Sequence, residues 1–217
     1  MTSAARAYSL ALACPTRHRH ANSPKDDLED YSLPIARTSL THPLRIAELD
    51  TACGGLIGLT FCPGKQQTDG LTGAWARNLD ADCDVIARWG ASTVLTLIEA
   101  HEMSELQVEH LPDALAERKI AWHHLPIPDQ DVPDERFLKA WATLSGELHA
   151  LLAGGQRILI HCKGGLGRTG LVAAMLCIEQ GADAHGAMAD IRAVRPGAIE
   201  TDEQEDFVLD WAARCAP

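Results

Sequence analysis

One stretch of this 217-residue chain groups residues that can do chemistry together: His161-Cys162-Lys163-Gly164-Gly165-Leu166-Gly167-Arg168-Thr169-Gly170. Its glycines let the backbone curl until successive N–H groups face one centre, a nest suited to a tetrahedral anion. A helix reading from Arg168 would point its positive end at the same place. The field that attracts phosphate also favours thiolate over thiol, and such surroundings can bring a cysteine from about 8.5 to between roughly 3.5 and 7.5. Cys162 is therefore a candidate nucleophile at phosphorus. Arg168, separated from Cys162 by five intervening residues, offers a planar fork for two equatorial phosphoryl oxygens. The Thr169 hydroxyl can donate to the thiolate when an intermediate breaks down, and His161 can orient the loop. The substrate-binding ring is thus Lys163, Gly164, Gly165, Leu166, Gly167 and Arg168. The plain alternative is a glycine-rich turn around an inert cysteine; the agreement of strand, glycines, cysteine, arginine and helix start argues against it. A nucleotide P-loop is excluded, because G-x-x-x-x-G-K-[ST] is absent.

Displacement at phosphorus needs a proton for the departing oxygen. The segment Pro126-Ile127-Pro128-Asp129-Gln130-Asp131-Val132-Pro133-Asp134 supplies three carboxylates, with prolines limiting how far it wanders. Asp134 precedes a long helical pattern and reads as its cap. Asp129 and Asp131 both remain possible acids on residue type alone.

The surrounding pattern alternates. Short apolar or β-branched runs at Leu44–Leu49, Leu56–Thr60, Thr93–Ile98, Ala121–Leu125 and Arg157–His161 read as strands. Helical spacing appears over Asn78–Arg88, Glu102–Val108, Pro112–Arg118, Asp134–Leu152, Arg168–Gln180, Ala182–Arg195 and Thr201–Cys215. Strands separated by helices predict an α/β fold, a central mostly parallel sheet flanked by helices in three layers. The cysteine loop then falls at the carboxyl end of a strand, where such sheets bind ligands.

H-C-x-x-G-x-x-R-T-G resembles the phosphate-binding loop of the cysteine-based protein tyrosine and dual-specificity phosphatases. Thr41–Ile46, Gly58–Gly64 and the join of His123–Ile127 to the acid loop are similar to the cyclin-dependent-kinase-associated phosphatase (cyclin-dependent kinase inhibitor 3-like) branch, over roughly residues 38–215. The resemblance implies a phosphocysteine intermediate with no metal and no cofactor. It also implies Asp129 as general acid, because P-I-x-D matches the family's acid loop. Ala198–Gln204 resembles the family segment whose Gln positions the hydrolytic water, giving that role to Gln204; Thr201 with Gln204 also reads as a capping box. Sulfurtransferases that cradle a cysteine would imply a loop one residue shorter. The implied substrate is a phosphoprotein carrying phosphotyrosine, with phosphoserine and phosphothreonine as further options, and the branch suggests a kinase partner. Lys163 directly after the cysteine raises a phosphoinositide as the alternative substrate. A catalytically silent phospho-binding module is the alternative of another class, disfavoured by the presence of Cys162, Arg168 and Asp129 together.

Bulk composition narrows the field. A formal net charge of −11 leaves no broad basic face for nucleic acid or anionic membrane, so any anion site must be local. Seven widely spaced cysteines without a C-x-x-C pair fit a reducing, cytoplasmic setting better than a disulfide framework or a zinc site. No apolar run approaches the roughly 18 residues of a spanning helix. Residues 1–25 lack Asp and Glu; they resemble a transit peptide in composition, and the plainer reading is a disordered leader over 1–37, with a phosphatase domain over 38–217. A monomer is expected.

Overall fold

The order of strands in one sheet explains how residues far apart in the chain meet. The computed structural model describes residues 36–70 and 73–216; the first 35 residues of the expected leader lie outside the described residues. Five strands form the main sheet: β1 (Ala47–Asp50), β2 (Leu56–Phe61), β5 (Ala91–Thr96), β6 (Ala121–His124) and β7 (Arg157–Cys162). Their order is β1-β2-β7-β5-β6. Only β1 runs antiparallel, to β2; β2, β7, β5 and β6 are mutually parallel. Four carboxyl ends thus open onto one edge, with β7 flanked on both sides.

Alternation along β7 divides the core. Ile158 and Ile160 pack on one face of the sheet and Leu159 on the other, as successive strand residues must. The first face is covered by α4 (Glu135–Ala153), α5 (Gly167–Glu179), α6 (Ala184–Val194) and, against α5, α7 (Asp202–Cys215). The second carries α1 (Leu79–Trp89) and α3 (Leu111–Glu117). Both faces being covered, the sheet reads as continuous apolar runs, and the expected three-layer α/β fold is the one observed.

Local chemistry sets the element ends. The Asn78 side chain accepts from the Ala81 N–H to open α1, and Gly90 closes it at φ 86°. Asp134 caps α4 by accepting from the Phe137 N–H, the role its position predicts. The helix expected over 102–108 is instead α2 (Ala100–Glu105), and Gln107 at φ 55° turns the chain away. A two-stranded ribbon, β3 (Gln66–Gln67) with β4 (Trp75–Ala76), was not foreseen; its residues carry no periodic apolar signal. Arg37, one residue ahead of the boundary expected at Thr38, is already paired, donating to the Ala74 carbonyl and accepting from the Ala76 N–H.

Candidate active site

The four parallel strands deliver the site. Lys65 follows β2, Glu102 follows β5, Asp129 follows β6, and Cys162 is the last residue of β7. Residues 163–166 then turn into α5.

Cys162 is 3% exposed, and the Gly165 N–H points at its Sγ from 3.2 Å. Gly165 sits at φ 71°, and a Cβ there would come within 2.3 Å of the Thr60 carbonyl on β2. Only glycine lets the loop lie this close to the neighbouring strand. A Cβ at Gly167 would meet Glu200 Oε2 at 2.6 Å and Gln204 Oε1 at 2.7 Å, so either side chain would have to shift to admit one.

Beneath the loop, the Trp122 indole N–H donates to Thr96 Oγ1, which lies 2.8 Å from His161 Nε2, while His161 Nδ1 lies 3.3 Å from the Cys162 carbonyl. With Thr96 donating to Nε2 and Nδ1–H donating to the carbonyl, the Trp122, Thr96 and His161 side chains use every polar atom they have. Burial pushes the imidazole down to about 4, so His161 is a neutral orienting group.

Arg168 is 2% exposed and held from several sides. Its two terminal nitrogens donate to Glu102, at 2.6 and 2.9 Å, in a bidentate pair. Nη1 also donates to the Ile127 carbonyl at 3.0 Å, and Nη2 to Asp129 Oδ1 at 2.7 Å. Burial works against the guanidinium charge, but Glu102, Cys162 and Asp129 raise its pKa above the usual arginine value. Burial likewise pushes the Glu102 carboxyl up, yet the hydrogen bonds from Arg168 and the Glu99 N–H outweigh it and leave the carboxyl below its ordinary range.

The two candidate acids separate. The Asp129 side chain is 56% exposed and touches Arg168 at the cavity. Asp131 accepts from its neighbour's Val132 N–H and serves the turn of its own loop. The Thr169 hydroxyl is fully buried and makes no hydrogen bond among the described residues, so the expected bond to Cys162 is not formed in this state. Gln204, expected at the water, has no exposed surface: its carboxamide accepts from the Glu200 N–H and donates to the Asp131 carbonyl.

A cavity of about 510 Å³ opens over Cys162, bordered by Lys163, Gly164, Leu166, Asp129, Glu200, Lys65 and Arg195. Four residues that shape the site are not legible in the sequence. Glu102 orients Arg168, Glu200 accepts from the Gly167 N–H at 2.7 Å, and Lys65 and Arg195 bond loop carbonyls. Only Glu200 lay within a segment already under suspicion. A groove of about 520 Å³ along β6 and α4 is lined by Trp122, His123, Leu144 and Glu147 and contains no cysteine.

Comparison with known proteins agrees with this architecture. A family model described as cyclin-dependent kinase inhibitor 3 matches residues 20–185, a range that ends before Glu200 and Gln204. Cyclin-dependent kinase inhibitor 3 of Rattus norvegicus is 31% identical over 180 residues, covering 80% of this chain and 81% of that protein. The Homo sapiens protein of the same name is 28% identical over 203 residues, covering 90% of this chain and 87% of its own. Among solved structures, a kinase-associated phosphatase whose catalytic-site cysteine was replaced by serine superposes with a TM-score of 0.70 at 28% identity, over 80% of this chain and 96% of that one.

Proposed function

The chain belongs to the cyclin-dependent kinase inhibitor 3 family, within the dual-specificity phosphatases, and on that premise we propose that it hydrolyses phosphomonoesters on phosphoproteins through a phosphocysteine at Cys162. One observation carries the reading: the Gly165 N–H points at the buried Cys162 sulfur at the floor of an open cavity, with the Arg168 guanidinium near enough for its charge to act on that sulfur.

In the proposed reaction the Cys162 thiolate attacks phosphorus, forming P–S as the ester P–O bond breaks. Asp129 gives its proton to the leaving oxygen. To do so it releases Arg168, whose freed N–H then takes an equatorial phosphoryl oxygen. Water next attacks phosphorus, P–S breaks, and Asp129 takes the water's proton. Thr169 fits this second step, since a buried hydroxyl without a partner is an available donor for the returning thiolate. Gln204, bonded to main chain at both ends, serves as a brace between the acid loop and Glu200, fixing the wall beside which water is placed. A reducing, cytoplasmic setting keeps such a thiol usable. The relatives' names supply the expectation of a kinase as substrate or partner.

A phosphoinositide is the second reading, resting on Lys163 at the cavity rim. Asp129 and Glu200 line the same cavity and would repel a polyanionic headgroup. Side-by-side turnover of phosphopeptides and phosphoinositides decides between them. Cys162→Ser is expected to abolish hydrolysis of p-nitrophenyl phosphate and of a phosphotyrosine peptide, and full retained activity would overturn the assignment. Asp129→Ala should slow turnover by about 10²- to 10⁴-fold; if Asp131→Ala alone did so, the acid would be the other carboxylate.

A further inference from the structure

We propose that Arg195 and Lys65 form a rear clamp on the anion loop, holding three successive carbonyls outward and so aiming the paired N–H groups at Cys162. The proposal rests on the phosphatase reading and assigns both cations as positioning residues of its site.

The geometry follows from the planar trans peptide, in which the C=O of one residue and the N–H of the next point in opposite directions. Arg195, the residue closing α6, donates from Nη2 to the Gly164 carbonyl at 3.0 Å and from Nε to the Gly165 carbonyl at 2.9 Å. Lys65 Nζ donates to the Lys163 carbonyl at 3.3 Å, which the Cys62 N–H also approaches at 3.3 Å. Three consecutive peptides are thereby fixed with oxygen outward, and the N–H groups of Gly164, Gly165 and Leu166 are turned the other way. The Gly165 N–H reaches Cys162 Sγ. Those of Gly164 and Leu166 have no protein acceptor among the described residues and are available to an anion.

The clamp also answers how a chain of net charge −11 builds an anion site. Neither Arg195 nor Lys65 forms an ion pair with a carboxylate among the described residues. Lys65 is buried, its Nζ 4.5 Å from the Trp75 ring centre and 5.2 Å from that of Phe61. Burial pushes Lys65 down to about 8, against the opposing influence of Cys62 and then Cys162, and burial lowers Arg195 too, against that of Cys162.

The test uses the full chain and two readouts that need no turnover: iodoacetamide alkylation of Cys162 at pH 6, followed by the mass of the peptide bearing it, and binding of inorganic phosphate by calorimetry. Arg195→Met is expected to slow Cys162 alkylation about tenfold and to weaken phosphate by a similar factor, since a hydrogen bond from an aimed N–H to a charged acceptor is worth about that much. Lys65→Met, close in size, should act in the same direction. Arg195→Lys, which can hold one carbonyl but not two, should recover part of the loss, which a mere structural defect would not show. If Arg195→Met does not fold, Lys65→Met and Arg195→Lys carry the same comparison. Alkylation and phosphate binding within twofold of the parent in the folded variants would overturn the clamp. A parent chain that shows both clamp effects yet turns over no phosphoester would sink the phosphatase reading and leave the clamp standing.

Discussion

Glu102→Gln is the perturbation that most sharply tests how Arg168 is held. The carboxylate is 2% exposed and receives both terminal nitrogens of a guanidinium that is itself 2% exposed. Removing one partner of such a buried pair strands the other charge, at a typical cost of about 3–5 kcal/mol. Here the Ile127 carbonyl and Asp129 remain on Arg168, so the lower end, about 3 kcal/mol, is expected. In a domain of this size that corresponds to a fall in Tm of about 6–12 °C. Because the freed fork no longer faces the cavity in one orientation, KM for a phosphopeptide should rise along with the loss of stability. The pH dependence adds a signature. The folded Glu102 carboxyl lies below its usual range, so its contribution is complete above the ordinary carboxylate value of about 4.3 and is lost as pH falls through the lower folded value. The stability gap between parent and Glu102→Gln, measured by urea unfolding, should be full at pH 7 and close in acid. A Tm and a KM both unchanged at pH 7 would refute the reasoning.

Two further predictions concern the loop and its floor. Gly165→Ala must strike the Thr60 carbonyl from a left-handed backbone, whereas Gly164→Ala meets nothing within 4 Å; turnover should fall at least about tenfold further in the first than in the second. His161 is held neutral down to about 4, so the unfolded chain binds the extra proton between that value and about 6.5 and stability drops as pH falls across this window. His161→Asn should flatten that slope in urea unfolding measured from pH 7 to pH 4.5.

The chemistry was most legible where it is local. Cys162, the glycines and Arg168 lie within seven residues between a buried strand and a helix, and strand and helix chemistry alone place them at a sheet's carboxyl edge. The residues that tune them were not legible, for a physical reason. Glu102 meets Arg168 across 66 positions, and Lys65 meets Lys163 across 98, because the order β2-β7-β5 brings together strand ends remote in sequence. A single Glu at a short helix start reads as a surface or capping charge, which Glu102 also is, its carboxylate accepting from the Glu99 N–H. Gln204 shows the reverse case. The family resemblance gives it a place beside the hydrolytic water, and the sequence does not show that both ends of its amide are tied to the main chain. The polar ribbon of β3 and β4 escaped notice because two-residue strands carry no period to read.

The central claim is that the Cys162 sulfur carries the phosphoryl group between substrate and water. Rapid quenching of the parent protein with a radiolabelled phosphopeptide, followed by proteolysis and mass analysis, tests it directly. One label per chain at most is expected, on the peptide containing Cys162, formed before free phosphate appears and absent in Cys162→Ser. Phosphate released at the parent rate with no label on that peptide, or by the Cys162→Ser protein, would contradict it.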